Sequence, residues 1–214
     1  MIIQPFTYSS EWSCFWNHYL PVVNKYYKEQ EVLCYPFLNF LFKKPINNWE
    51  YFPSKYRAEG WKRHLGSFKY TTDKLLINPF DSKIEVHNDK FIPTNNSTKY
   101  KVRLVITPRY REWNKPKNYS QIFQELIDKN PDAILCCRKE DLVELKYKNN
   151  VVFDLNDIMH YYHYAEHVIT AESGSAACAA YCSANHTIVG LDVKIGYRRH
   201  YEANPNFKGL TLTP

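Results

Sequence analysis

Glycine is scarce in this chain. Only 6 of its 214 residues are glycine, where an average composition gives roughly twice as many. Glycine is the residue that adopts positive φ at little cost, so each of the six marks a place where the backbone has a special requirement. Gly174 is the one that falls between a predicted strand and a predicted helix, and a serine stands on each side of it.

Several other features are missing, and each absence excludes a class of protein. The 6 cysteines form no CxxC pair, and the adjacent Cys136 and Cys137 lie in an apolar run, which predicts buried thiols in a reducing compartment. The first residues lack the basic segment and long apolar stretch of a signal peptide. The longest apolar runs are far shorter than the roughly 18 residues that span a membrane. These patterns predict a soluble, cytoplasmic protein without a membrane partner.

The second half of the sequence alternates short β-branched runs with helical spacing. This rhythm predicts βαβ units and a parallel, Rossmann-like sheet. The predicted strands are 102–107, 133–137, 151–155, 168–170 and 187–191, and the predicted helices are 118–129, 139–146, 156–166 and 175–184. The first half is less regular: it predicts short strands near residues 2–3 and 31–34 and a helix over 12–27 that restarts at Pro21. The polar segment 94–98 predicts a linker, which divides the chain into lobes 1–97 and 98–214.

The turn that contains Gly174 predicts an anion site. A strand ends near Thr170, a small-residue helix starts near Ser175, and Ser173 and Ser175 are good N-cap residues. The amide groups and the partial positive charge of a helix N-terminus favour an anion. The alternative is an ordinary tight turn between a strand and a helix, and neither a Walker motif nor GxGxxG strengthens the anion interpretation.

The net charge is +6, and its most basic cluster lies between residues 99 and 117. This cluster follows the first predicted strand of the second half, so it is expected at the same sheet edge as the Ser-Gly-Ser turn. Arg109, Arg111 and Lys115 are candidates for clamping a diphosphate, because arginine presents a planar fork to phosphate oxygens. The alternative is a solvated, charge-rich loop.

These two motifs together resemble the donor-binding domain of GT-B glycosyltransferases, and heptosyltransferase-like enzymes in particular. The resemblance rests on Pro108-Arg-Tyr-Arg111 and on Glu172-Ser-Gly-Ser-Ala176, and it covers about residues 100–192. It implies that Glu172 binds the ribose hydroxyls of a nucleotide-sugar and that Ser173, Gly174 and Ser175 contact its phosphates. The nucleotide-sugar is then a co-substrate and no cofactor is needed. The fold class that follows is α/β with two Rossmann-like lobes, the N-terminal one reduced.

The resemblance also places a general base in the loop after the first strand of the N-terminal lobe. Glu11 lies there and is the candidate that removes the acceptor proton, with His18 as the next candidate. The open alternative is that Glu11 only caps the helix that begins near Trp12. Asp-x-Asp, which metal-dependent GT-A transferases use, does not occur in the sequence, so a metal-independent site is expected.

A histidine-rich segment has to be considered as a possible zinc site. It would combine helical spacing with two cysteines further along the chain. The members of this set are His160, His163, His167, Cys178 and Cys182. Clustered histidines on an aromatic helix are more often packing residues, so no metal site is predicted.

The acceptor is predicted from a second basic stretch, 43–63, in which aromatic residues alternate with lysine and arginine. Small size, positive charge and abundant aromatics resemble phage enzymes that glycosylate hydroxymethylated bases in DNA, which act in the host cytoplasm. The candidate acceptor-binding residues are Lys55, Arg57, Trp61, Lys62 and Arg63. The alternatives are a solvated surface, a transferase acting on a cell-surface polysaccharide, and a non-catalytic nucleotide- or nucleic-acid-binding module.

Overall fold

The computed structural model describes residues 2–4, 15–16, 20–34, 36–47, 74–76, 91–109, 118–189 and 207–211. The chain divides into two compact units, Met1–Asp89 and Lys90–Pro214, whereas the sequence places the boundary after residue 97. Residues 91–97 belong to the second unit: the Phe91 amide donates to the Tyr181 carbonyl at 3.1 Å, and the Asn95 amide donates to His160 at 3.2 Å. The predicted linker is therefore docked on the second unit.

The second unit contains a parallel sheet of six strands. In chain order they are β5 (Leu104–Thr107), β6 (Ile134–Cys136), β7 (Val151–Val152), β8 (His167–Ala171), β9 (His186–Val189) and β10 (Phe207–Thr211). Their spatial order is β10-β9-β8-β5-β6-β7. Counted from β5, this is the order 3-2-1-4-5-6 of a dinucleotide-type Rossmann sheet.

Strand alternation sends the side chains of β5 to two faces of the sheet. After helix α1 (Leu20–Tyr26) of the first unit, the helices of the second unit are α2 (Tyr119–Lys129), α3 (Leu155–Tyr164) and α4 (Gly174–Tyr181). Leu104 and Ile106 pack with Phe123 and Ile127 of α2 in one core cluster. Thr107 bonds instead to Tyr162 of α3, which places α2 and α3 on opposite faces. This arrangement confirms the predicted α/β class of the second half.

The first unit repeats part of the same topology. Its strands are β1 (Ile2–Gln4), β2 (Glu31–Leu33), β3 (Pro45–Ile46) and β4 (Lys74–Leu76), in the parallel order β3-β2-β1-β4. Helix α1 runs over Leu20–Tyr26, so Pro21 stands in its first turn, where a missing N–H costs nothing. Both units are Rossmann-like, and the N-terminal unit has the smaller sheet within the part of the chain that is described.

The structure differs from the sequence prediction at four elements. The predicted helix 139–146 is only a 3₁₀ turn, Lys139–Leu142, and strands β3, β4 and β10 were not predicted. The three strands depend on backbone pairing with a neighbouring strand. For example, Val32 and Cys34 donate to the carbonyls of Lys44 and Ile46, at 2.9 and 3.0 Å, which holds β3 beside β2.

The five described cysteines are buried and carry free thiols, which confirms the prediction for Cys136 and Cys137. Burial raises the pKa of Cys137 to about 12 and that of Cys34 to about 11, so neither thiol is a ready nucleophile. Within the described ranges, no helix has both the length and the apolar character needed to cross a bilayer.

Candidate functional site

The sheet of the second unit changes direction of winding between β5 and β8, and the candidate site lies there. These two strands are neighbours and run parallel, with Thr107 opposite Thr170. Because the two strands end at nearly the same level, the segments that follow Thr107 and Ala171 leave the sheet at one edge. This carboxyl edge at a topological switch point is where open α/β sheets bind ligands.

The turn after β8 is held tightly by the protein itself. The Glu172 amide donates to the Val189 carbonyl at 3.2 Å and so extends the pairing of β8 with β9. Glu172 and Ser173 are 5% and 4% exposed. The Ser173 hydroxyl accepts from the Ser175 amide at 3.1 Å, and the Ala176 amide donates to the Ser173 carbonyl at 3.1 Å. Ser173 is therefore the N-cap of α4, while Gly174 and Ser175 are only half-buried.

Helix α4 lies close to the sheet because its side chains are small. Ala176, Ala177 and Ala179 are fully buried, and Ala180 is 2% exposed. This packing fixes the direction of the helix and therefore the position of its N-terminus at the sheet edge. The dipole of the helix adds a partial positive charge at Gly174 and Ser175, which suits a phosphate group.

The segment that follows β5 brings a basic residue, Arg109, to the same edge. Arg109 follows the last strand residue, Thr107, by two positions and is half-buried. The Thr107 hydroxyl shares a hydrogen bond of 2.7 Å with the Tyr162 hydroxyl, and the Tyr119 hydroxyl donates to the Pro108 carbonyl. Sequence patterns did not indicate these two tyrosines, since their partners are set by the faces on which α2 and α3 pack.

The strand register brings one basic side chain and the whole predicted turn to a common edge: Arg109 with Glu172, Ser173, Gly174 and Ser175. The other predicted site residues lie outside the described residues, so their roles stay predictions. They are Glu11, His18, Arg111, Lys115, Lys55, Arg57, Trp61, Lys62 and Arg63.

The histidine-rich segment is part of the packing of the second unit. Nδ1 of His160 lies 2.7 Å from the Asn156 carbonyl, and Nε2 lies 3.2 Å from the Asn95 amide. A carbonyl can only accept and an amide can only donate, so both ring nitrogens of His160 are engaged in the neutral Nδ1–H tautomer. His163 bonds to the Cys182 carbonyl at 3.1 Å. Among the residues described, no group of three His, Cys, Asp or Glu side chains is arranged to hold a metal ion.

The strand orders show that each unit is Rossmann-type, consistent with a GT-B-like fold. A solved structure, that of E. coli ADP-heptose LPS heptosyltransferase II, is similar to this chain with a TM-score of 0.53. The similarity covers 88% of this chain and 84% of that chain at 10% sequence identity, so it is a similarity of fold. No protein-family model matches the chain, and no curated protein matches its sequence.

Proposed function

We propose that this protein is a glycosyltransferase that takes its sugar from a nucleoside-diphosphate donor. The observation that carries the proposal is the junction of β5 and β8, where Arg109 and the N-terminus of α4 share the carboxyl edge of a sheet with dinucleotide-type order. A negatively charged ligand at this edge meets a guanidinium group from one strand and helix amides from the next. The similarity to the fold of the heptosyltransferase supports the same class of chemistry.

The donor would be held by groups with separate tasks. Arg109 and the first turn of α4, at Gly174 and Ser175, face the charge of the diphosphate. The Ser173 hydroxyl already accepts from the Ser175 amide, so Ser173 holds the shape of that turn. It would act on the phosphate through the backbone amides of the turn. The Glu172 carboxylate would accept hydrogen bonds from ribose hydroxyls. Arg111 and Lys115 are proposed to add charge from the same basic stretch.

The reaction forms one bond and breaks one bond at the anomeric carbon. Glu11 is the proposed general base, which takes the proton of the acceptor hydroxyl as its oxygen attacks. The nucleoside diphosphate leaves with the electron pair of the broken bond. Its developing charge would be stabilised by arginine and by the dipole of α4, which is why we propose a metal-independent reaction.

The acceptor that we propose is a hydroxymethylated base in duplex DNA, with a cell-surface polysaccharide as the alternative. In the described part of the basic stretch 43–63, Lys43 and Lys44 are exposed, and Lys43 pairs with Glu29. The test is fluorescence anisotropy with labelled duplex DNA across a salt series, because phosphate contacts weaken steeply with salt. If the protein does not bind at low ionic strength, the DNA acceptor is wrong and polysaccharide fragments become the acceptors to try.

The decisive experiment for the activity is a hydrolysis screen across ADP-, UDP-, GDP- and CMP-sugars, read by release of the nucleotide. Glycosyltransferases commonly transfer the sugar slowly to water, so one donor is expected to be turned over without any acceptor. Arg109→Ala is expected to lose this turnover, whereas Arg138→Ala, which removes an arginine paired with Asp141, is the matched control. If no nucleotide-sugar is bound or hydrolysed, the proposed function is wrong.

The rival interpretation is a non-catalytic nucleotide-binding module. Substitution of Glu11 distinguishes it from a glycosyltransferase. Glu11→Gln is expected to abolish transfer and leave donor binding intact. Glu31→Gln is the matched control, because Glu31 is an exposed carboxylate in the same unit. Unchanged transfer in Glu11→Gln would refute this base, and donor binding without turnover in the wild type would favour the binding module.

A further inference from the structure

We propose that Tyr119 and Tyr162 are positioning residues that fix the chain where it leaves β5 and thereby place Arg109 at the diphosphate. This inference rests on the proposed function and adds two residues to it. Each tyrosine binds one of the two consecutive residues that precede Arg109, and the two come from helices on opposite faces of the sheet.

The first contact, between Tyr119 and Pro108, joins the residues on either side of the basic segment 109–118. Tyr119 is the first residue of α2 and is 6% exposed. Its hydroxyl donates to the carbonyl of Pro108, while its ring packs against Phe123 with centroids 4.9 Å apart. Residues 108 and 119 flank the whole segment 109–118, so a single hydrogen bond joins the two ends of that segment.

The second contact comes from the other face of the sheet. Tyr162 of α3 is 1% exposed, and its hydroxyl shares a 2.7 Å hydrogen bond with the hydroxyl of Thr107. Burial raises the pKa of Tyr162 well above its ordinary value, so the phenol stays protonated and either hydroxyl can donate in this bond. The Thr107 side chain is therefore fixed at the last position of β5.

Proline at position 108 explains why such contacts are needed. Proline has no N–H, so it cannot continue the ladder of β5 as a donor, and pairing with β8 stops at Thr107 and Thr170. Beyond that point the sheet no longer holds the chain towards Arg109. There the Tyr119 hydroxyl holds the backbone through the Pro108 carbonyl, and the Tyr162 hydroxyl fixes the side chain of Thr107 just before it. Phenylalanine at either position would fill the same space without its hydrogen bond.

The test is a double-mutant cycle with inorganic pyrophosphate as the probe, measured by calorimetry. Tyr119→Phe and Tyr162→Phe are each made in the wild type and in Arg109→Lys, which keeps a charge and a residual affinity. Each phenylalanine is expected to weaken binding roughly fivefold in the wild type, the value of one hydrogen bond. In the Arg109→Lys protein the same changes are expected to have almost no effect, because a positioning residue acts through the arginine.

Ser120→Ala is the matched control. Ser120 is the next residue of the same helical turn, and its hydroxyl donates to Glu144 at 2.5 Å, away from the β5 exit. This variant is expected to bind pyrophosphate like the wild type. Thermal unfolding of all variants identifies any that fail to fold, and the two tyrosines give independent readings.

The outcomes separate this proposal from the proposed function. Unchanged affinity in both phenylalanine variants, or an equal loss in the wild-type and Arg109→Lys backgrounds, would overturn the positioning role while the function stands. If the wild type binds neither pyrophosphate nor any nucleoside diphosphate, the proposed function fails and the positioning role fails with it.

Discussion

Two regions of the second unit are rich in buried polar side chains, and they differ in what those side chains face. At the turn after β8, the Ser173 hydroxyl satisfies one amide of α4, while Gly174 and Ser175 lie half-buried at the carboxyl edge of the sheet. On α3, His160 is fully buried, its two nitrogens bond to Asn156 and Asn95, and its ring stacks on Tyr100 with centroids 4.9 Å apart.

The difference shows how buried polar groups can be assigned to binding or to stability. A side chain whose donors and acceptors are all engaged within the protein has none left for a ligand, as His160 illustrates. A helix terminus at a switch point keeps its dipole directed outward even when one amide is capped. We therefore expect substitution of His160 to change stability without changing ligand binding, and substitution of Ser175 to change ligand binding without changing stability.

The largest expected effect is that of His160→Ala. It removes two hydrogen bonds and the ring that packs between Phe91 and Tyr100, which predicts a loss of about 4 kcal/mol in the free energy of unfolding. Urea denaturation measures this loss. Pyrophosphate affinity of the folded variant should equal that of the wild type, and a weakened affinity would contradict the purely structural role of His160.

The sequence was sufficient for those parts of the molecule that depend on strong local patterns. The alternation from Leu104 to Val189 and the turn at Gly174 were predictable because periodicity and a single glycine are local signals. The packing role of His160 was predicted from its aromatic neighbours, but the partners of His160 and Tyr162 were not, since Asn95 and Thr107 lie more than fifty positions away. Strand β3, two residues long, forms only because β2 supplies its hydrogen bonds.

His186 extends the comparison to a second buried imidazole, at the start of β9. Burial lowers its pKa to about 4, whereas an unfolded chain binds this proton near pH 6.5. As the pH falls from 6.5 to 4, the unfolded state gains a proton that the folded state lacks, and the free energy of unfolding falls by about 3 kcal/mol. Below pH 4 both states are protonated, so this contribution stops changing.

The measurement is urea denaturation between pH 4 and pH 7.5 for the wild type and His186→Gln. The glutamine variant is expected to lose this part of the pH dependence, whatever its stability at neutral pH. If the two proteins show parallel pH profiles, the imidazole of His186 is not the group that titrates, and another side chain governs stability in this range.

Ser173→Ala and Ser175→Ala test whether the two serines of the turn have different roles, one in stability and one in phosphate binding. Ser173 is the N-cap of α4, so its loss should reduce the free energy of unfolding by about 1 kcal/mol. Ser175→Ala is expected to leave stability unchanged, because Ser175 is already inside the helix, and to weaken pyrophosphate binding roughly threefold to tenfold. If Ser175→Ala binds pyrophosphate normally, the hydroxyl of Ser175 is not a phosphate contact.

The smallest expected effect is that of Lys99→Ala, on the surface of the α3 region. Lys99 lies 3.3 Å from Asp157, and both side chains are exposed to solvent, so salt and side-chain entropy remove most of the benefit of the pair. The Tyr100 hydroxyl also donates to Asp157, and this hydrogen bond lowers the pKa of the Asp157 carboxyl. Lys99→Ala should therefore leave the urea midpoint at neutral pH unchanged within error, at both low and high salt. A clear, salt-sensitive destabilisation would show that surface charge, and not the buried contacts of His160, secures residues 91–100 on α3.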